Sequence, residues 1–321
     1  SMTAPNSSPA CVAGQSSSTF LDGLLATARQ CGRRKIAMVF PCDAAALRTG
    51  DRLTYEDIAD VSLFGPRDRL LELGAREGID LERFELIDTG ADAASAAQKA
   101  CKHAAAGTLD MLMKGSLHTD ALMRAVIARI DGLRTQRRIS HAFVLQVPGR
   151  SSPLIISDCV VNVAPTLGEK VEILEHAIHL ARALGVVRPR AAVVSFTESV
   201  LPGAPSTLDA AAIAKMAQRG QIIDAAVGGP LAFDNAVSMA SASAKGIDSS
   251  VAGRADILLM PNLEAGNALY KSLVYMAGAS CAGVVLGTKK PVVLTSRTDS
   301  LESKVYSAAL ASVLLRDECT S

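Results

Sequence analysis

Short runs of apolar and β-branched residues alternate along this chain with longer stretches in which apolar positions recur every three or four residues. The runs predict eleven strands, at 36–40, 61–64, 84–87, 110–113, 141–146, 154–157, 191–196, 225–227, 256–260, 282–286 and 291–295. Ala-rich helical patterns separate most of them, the βαβ signature of a mainly parallel sheet in an α/β protein. The runs 141–146 and 154–157 flank the turn Pro148-Gly149-Arg150 and predict an antiparallel hairpin. After Thr166, a capping box (Thr166 to Glu169) opens a helix with Leu167, Val171, Leu174, Ile178 and Ala181 on one face. His176 and His179 fall off that stripe, so a solvated face is expected there rather than a metal pair. Eleven strands predict two sheets, with a boundary near Pro148-Gly149 and a return of 291–295 to the first.

Composition narrows the class. Of 321 residues, 49% are apolar but only 3% aromatic, with no Trp, so the core is built from Ala, Val, Leu and Ile. The net charge of +1, without a basic stripe, excludes nucleic acid as an expected partner. Seven scattered cysteines form no CxxC pair and predict a reducing, cytoplasmic setting. Residues 1–20 are Ser/Pro/Gly-rich without a signal-peptide core and predict a disordered segment, and no run is of membrane-spanning length.

Five loops can carry chemistry. In PVVLTSRTDSLES (291–303) a buried strand delivers Ser296 and Arg297 to a helix mouth, an anion site in which N–H groups and a guanidinium fork face the ligand. Lys114-Gly115-Ser116-Leu117-His118-Thr119 follows a strand and offers a charge and a tight turn for phosphate, though it is not a Walker loop. Ser116 or Thr119 is the expected cap there, with His118 exposed. Pro205 to Asp209 reads as a capping box, and 228–235 as a strand-to-helix loop with paired glycines and Asp234 as a possible cap. In 261–267, Glu264 and Asn267 are ligand candidates, with loop-fixing bonds as the alternative. No metal cluster, Gly-x-Ser-x-Gly elbow or GxGxxG appears.

At these loops the chain resembles the phosphate acetyltransferase and phosphate butyryltransferase family. The matching stretches are FPCDAAAL (40–47), LFGP (63–66), LMKGSLHTDALMRAVI (112–127), RRISHAFVLQVP (137–148), PSTLDAAAIAKMA (205–217), GPLAFDNAVS (229–238), PNLEAGNALYKSLVYMAGASCAGVVLG (261–287) and PVVLTSRTDSL (291–301). The butyryltransferase-like branch fits best. The resemblance implies a two-domain α/β fold shared with the isocitrate and isopropylmalate dehydrogenases, with the site in the cleft. Domain I would be 21–148 with 290–321, and domain II, through which homodimers form, 149–289. It implies that acyl-CoA and phosphate interconvert with acyl phosphate and CoA. CoA is a substrate, with no metal and no tightly bound cofactor.

On that resemblance Arg297 holds the phosphoryl group and Ser296 stabilises developing charge. Substrate contacts are expected from Lys114, Gly115, Ser116, His118, Ser206, Gly229, Pro230, Asp234, Glu264, Gly266 and Asn267. Asp299 is the nearest candidate base, but its spacing to Glu302 reads first as an acidic capping box. Close relatives carry Asp where this chain has Gly228 and Asn262. The acetyltransferase branch has a basic Asp where Ser303 stands; the butyryltransferase branch lacks it too. The alternatives are a non-catalytic CoA- or acyl-phosphate-binding protein and a metal- and NAD-dependent dehydrogenase of the same fold. Gly228 and Asn262 argue against the dehydrogenase, which needs clustered carboxylates.

Overall fold

The computed structural model describes residues 19–318, so most of the segment 1–20 expected to be disordered lies outside the described residues. Thr19 and Asp22 form a capping box that starts α1 (Phe20–Gln30). Strands and helices then alternate: β1 (Arg34–Val39), α2 (Ala44–Tyr55), β2 (Ala59–Gly65), α3 (Arg67–Glu77), β3 (Glu85–Asp88), α4 (Ala93–Ala105), β4 (Met111–Lys114) and α5 (Thr119–Val126). The expected hairpin follows as β5 (Ser140–Gln146) and β6 (Leu154–Ser157). The chain continues through α6 (Leu167–Ala183), β7 (Arg190–Val194), α7 (Pro205–Gln218), β8 (Ala226–Leu231), α8 (Phe233–Val237), α9 (Met239–Ala244) and β9 (Ile257–Leu259). It ends with α10 (Leu263–Met276), β10 (Ser280–Leu286), β11 (Val292–Val293) and α11 (Leu301–Glu318).

All eleven strands join one sheet, in the order β3-β2-β1-β4-β11-β10-β5-β6-β9-β7-β8, which corrects the expectation of two. The first five run parallel, as do β6, β9, β7 and β8. Between these blocks β10 pairs antiparallel with both β11 and β5, and β5 antiparallel with β6. The two parallel blocks therefore point in opposite directions and fuse through seven registered pairs between β5 and β10. Periodicity reports each strand but not a partner about 140 residues away, so it cannot distinguish one sheet from two.

Helix α11 is the post against which this junction is built. From Ser303 to Leu315 every residue except Tyr306 is buried. Ser303 Oγ donates to Cys281 O at 2.8 Å, and Ser307 Oγ accepts from Gly283 N–H at 3.0 Å, which stitches α11 to β10. Gly283 has no alternative here, since a Cβ would lie 2.7 Å from Phe143 Cε1 and 2.8 Å from His141 Cε1. Arg34 of β1 reaches Ser312 O at 3.2 Å, so the helix is tied to the first block as well as to the seam.

Several local expectations are met and others are corrected. The Thr166–Glu169 box is present. At α7 the cap is Ala204 with Pro205 as the first helical residue, not a capping box. Thr207 turns back to accept from Leu201 N–H (2.9 Å), and Asp209 instead pairs with buried Lys170 at 2.9 Å. His176 is half-buried with Nε2 2.8 Å from Arg138 O, so only His179 of that pair is solvated. Burial pushes the His176 imidazole below its ordinary pKa.

Lys170 is 4% exposed, so Asp209 is the group that makes its charge tolerable. Asp209→Ala should lose about 3 kcal/mol in urea unfolding by stranding that charge. Combining it with Lys170→Met should restore most of the loss. A double variant as unstable as Asp209→Ala alone would show that the pair is not the cause.

Candidate functional site

The carboxyl ends of β1, β4 and β11 lie side by side, because β4 pairs parallel with both neighbours. Their loops are zipped together through backbone. Gly115 N–H donates to Val39 O at 2.8 Å and Ser116 N–H to Phe40 O at 2.8 Å. The Ser116 hydroxyl donates to Phe40 O (2.9 Å) and accepts from Cys42 N–H (3.1 Å). A Cβ on Gly115 would sit 2.5 Å from both Val39 O and Phe40 O, so only glycine permits this approach. Phe40 itself takes a left-handed φ of 53°, which turns the chain into the loop. His118, not Ser116 or Thr119, stands at the cap of α5, exposed and without a side-chain capping bond.

Lys114 turns inward from this loop. Its Nζ donates to Leu117 O at 3.1 Å and meets no carboxylate among the described residues. Burial and, after it, the nearby Lys304 charge hold its pKa below the ordinary lysine value; Arg297 acts the same way, while Asp43 and Asp299 oppose. The register explains the gathering. Val293 pairs with Met113, so the residues after β11 emerge beside Lys114.

After β11, residues 296–299 form a turn closed twice: Asp299 N–H donates to Ser296 O (3.2 Å), and Asp299 Oδ2 accepts from Ser296 N–H (2.6 Å). The helix cap is Ser300, whose hydroxyl accepts from Ser303 N–H at 3.1 Å. This corrects the expectation that Asp299 caps α11: its carboxylate reaches backwards and fixes the turn that displays Arg297. Arg297 is exposed and unpaired among the described residues, and Ser296 Oγ lies 3.0 Å from Thr298 Oγ1. Ser303 faces the sheet, bonded to Cys281 O, and is not directed at this site.

Two further cations belong to this region. Arg69, in the first turn of α3, stacks its guanidinium 5.6 Å over the Phe40 ring. Lys304, in the first turn of α11, is 7% exposed. The sequence held a signal for Lys304, because it is the sole charged residue between Ser303 and Leu315. A charge in so apolar a helix is placed for a reason.

The remaining candidates lie elsewhere. The strands of the second block end at the opposite edge of the sheet, and around those ends sit Ser206, Gly229, Pro230, Asp234, Glu264, Gly266 and Asn267. Ser206 Oγ lies 2.7 Å from Ser195 Oγ. Gly229 and Pro230 belong to β8 itself, on the sheet edge where proline is tolerated, and not to a strand-to-helix loop. A Cβ on Gly229 would lie 2.9 Å from Val193 Cβ. Ala232 is the cap of α8, so Asp234 is not; it bonds Ser241 Oγ, which lowers its pKa. Glu264 is exposed.

Gly266 and Asn267 fasten α10 to the end of β6. Asn267 Nδ2 donates to Cys159 O at 3.1 Å, and a Cβ on Gly266 would lie 2.4 Å from Asp158 O. Asn262 caps α10 by accepting from Ala265 N–H at 2.9 Å, a task an amide does as well as a carboxylate. Sequence reasoning missed Asp158, whose buried carboxylate gathers the N–H groups of Val160 (2.8 Å), Val161 (2.9 Å) and Asn162 (3.3 Å). From this end α10 runs along the junction. Its Tyr270 stacks on Phe143 at 4.0 Å between centroids, and its phenol pKa is raised by burial and then by the Asp299 charge. The α10 helix thus connects the two groups of candidates.

Comparison with known proteins identifies the family. Residues 68–312 match the family described as Phosphate acetyl/butaryl transferase, a span that includes Lys114, Ser296, Arg297 and Lys304. The chain is 44% identical over 292 residues to a phosphate acetyltransferase of Rhizobium meliloti, covering 91% of this chain and 92% of that protein. It is 47% identical over 250 residues to a probable phosphate butyryltransferase of Bacillus subtilis, covering 78% and 82%. A crystal structure of a branched-chain phosphotransacylase from Enterococcus faecalis has a TM-score of 0.76 at 29% identity, covering 87% of this chain and 99% of that one. The chain belongs to the phosphate acetyl/butyryl transferase family.

Proposed function

We propose that this protein transfers a short acyl group between CoA and phosphate, interconverting acyl-CoA plus phosphate with acyl phosphate plus CoA. Within the family, the observation that carries the reading is the meeting of Lys114 and Arg297 where β4 and β11 end side by side. In the acyl phosphate direction, CoA thiolate attacks the carbonyl carbon, a tetrahedral oxyanion forms, and phosphate leaves with the electrons of the C–O bond. Arg297 offers a planar fork to the phosphoryl oxygens, and Ser296 Oγ offers a hydroxyl to the developing charge. Holding both substrates in one ternary complex supplies much of the acceleration. CoA acts as substrate, and no step calls for a metal or a tightly bound cofactor.

The substrates would meet in a cleft between domain I (21–148 with 290–321) and domain II (149–289). The Asp299 charge felt at Tyr270 of α10 supports that placement. A homodimer through domain II agrees with exposed Tyr275 and Met276, 61% and 88% accessible, at the end of α10. Cysteines left free among the described residues agree with the cytoplasm. Thiol release from acetyl-, butyryl- and hexanoyl-CoA on adding phosphate tests the reaction and ranks chain length; no release from any of them would overturn it.

Arg297→Lys keeps the charge but not the fork, and kcat/KM for phosphate should fall about 10²-fold, with Arg297→Ala lower still. Phosphate kinetics like wild type in both variants would remove Arg297 from the site.

Lys114→Met should weaken phosphate binding about tenfold, as loss of a contact between charged groups does. The lowered Lys114 pKa has a second consequence. Just below the ordinary lysine value the unfolded chain holds a proton that the folded chain has released, so stability attributable to Lys114 rises with pH there. Bound phosphate keeps that proton on Lys114 and should flatten the rise. Urea unfolding of wild type and Lys114→Met, with and without phosphate, across alkaline pH checks the difference; identical pH slopes in all four series would refute it.

Asp299→Asn keeps an acceptor for Ser296 N–H and should retain most activity. Asp299→Ala opens the turn and should lose about tenfold in kcat/KM. A loss of about 10²–10⁴ in Asp299→Asn that high pH repairs would instead identify Asp299 as the base for the CoA thiol.

A further inference from the structure

Two lysines are almost wholly enclosed in this fold, and they are treated differently. Lys170, 4% exposed, donates to Asp209. Lys304, 7% exposed, makes no side-chain hydrogen bond or ion pair among the described residues. Its position adds to the cost. Lys304 N–H bonds Ser300 O (3.1 Å) in the first turn of α11, where the positive end of the helix dipole disfavours a cation. Its charge also falls on Lys114, another half-buried cation without a carboxylate partner. The two acids of this neighbourhood are already engaged. Asp43 Oδ1 accepts from Ala46 N–H at 2.8 Å, and Asp299 Oδ2 from Ser296 N–H at 2.6 Å. Among the described residues no carboxylate pairs with Lys304, and an ammonium enclosed to this degree gains from a bound counter-charge.

We propose that Lys304 is a direct phosphate-binding residue, meeting from inside the fold the phosphoryl group that Arg297 holds at the surface. The enclosure of Lys304 in the first turn of α11 and the exposure of Arg297 in the short segment between β11 and α11 give this arrangement. Lys114, beside them on β4, completes a cradle of three cations for a dianion. The identity of the anion rests on the acyl-transfer reading. The phosphates of CoA share this chemistry, so the two sources are tested separately.

The variant is Lys304→Met, similar in length and uncharged. Without anion it should melt no lower than wild type, since an unpaired buried charge is removed. The rise in Tm that millimolar inorganic phosphate gives wild type should be lost, and KM for phosphate should increase about tenfold or more at unchanged KM for acyl-CoA. The rise given by desulfo-CoA should persist. A variant that melts well below wild type yet keeps its phosphate response would show a structural lysine and overturn the proposal. Loss of the desulfo-CoA response alone would also overturn it. If Lys304→Met does not fold, the Nζ resonance of Lys304 in wild type, assigned with Lys304→Arg, decides. A shift on saturation with phosphate supports the contact, and an unmoved resonance overturns it. A wild type that releases no CoA but keeps a Lys304-dependent phosphate response would sink the acyl-transfer reading and leave this one standing.

Discussion

Everything in this fold leans on the burial of α11 across the seam between two oppositely directed parallel blocks. Ser303 and Ser307 hold it to β10, and Ser312 takes Arg34 from β1. Its small residues Ala308, Ala309 and Ala311 are fully buried, so the sheet and α1 pack close around it. A helix fixed so completely cannot vary its first turn. Its start, at Leu301, follows β11 by only seven residues, and those residues carry Ser296, Arg297 and Asp299. The placement of these three residues is therefore inherited from the core.

Local structure was readable in the residues, and long-range structure was not. The eleven strands, the β5–β6 hairpin and the α6 capping box all follow from patterns within about twenty residues. The fusion of two blocks into one sheet depends on β5 meeting β10 across the whole length of the second block, and no local pattern encodes it. Caps shift where another partner, distant or local, takes the carboxylate. Asp209 has the spacing to cap α7, but Lys170 claims it. Asp299 has the spacing to cap α11, but the turn at Ser296 claims it, and Ser300 caps instead. At the candidate site, the proximity of Arg297 and Lys114 was legible from their strand ends. Arg69 was not, because only the packing of Phe40 brings it there.

The glycines teach a related lesson. Gly115, Gly229 and Gly266 are all expected substrate contacts on the family resemblance. In the fold each bare Cα faces this protein's own atoms: Val39 O and Phe40 O, Val193, and Asp158 O respectively. Their positions near loop ends reflect the crowding of strand termini, which is a packing demand before it is a chemical one.

That crowding also decides how an anion can be held here. The N–H groups of Gly115 and Ser116 are committed to the carbonyls of Val39 and Phe40, that of Ser296 to Asp299, and that of Ser303 to Ser300. A phosphate-binding loop of the usual kind relies on such donors being free. With these four committed, an anion bound here would be held by side chains. Guanidinium and ammonium groups on flexible stems differ from a rigid amide nest, because they can follow a phosphoryl group as it separates from the acyl carbon. A transferase that must bind phosphate both as a free ion and as part of an acyl phosphate gains from donors that move a fraction of an ångström between the two. The rigid backbone sets where the stems begin, and their flexibility accommodates the difference between substrate and product.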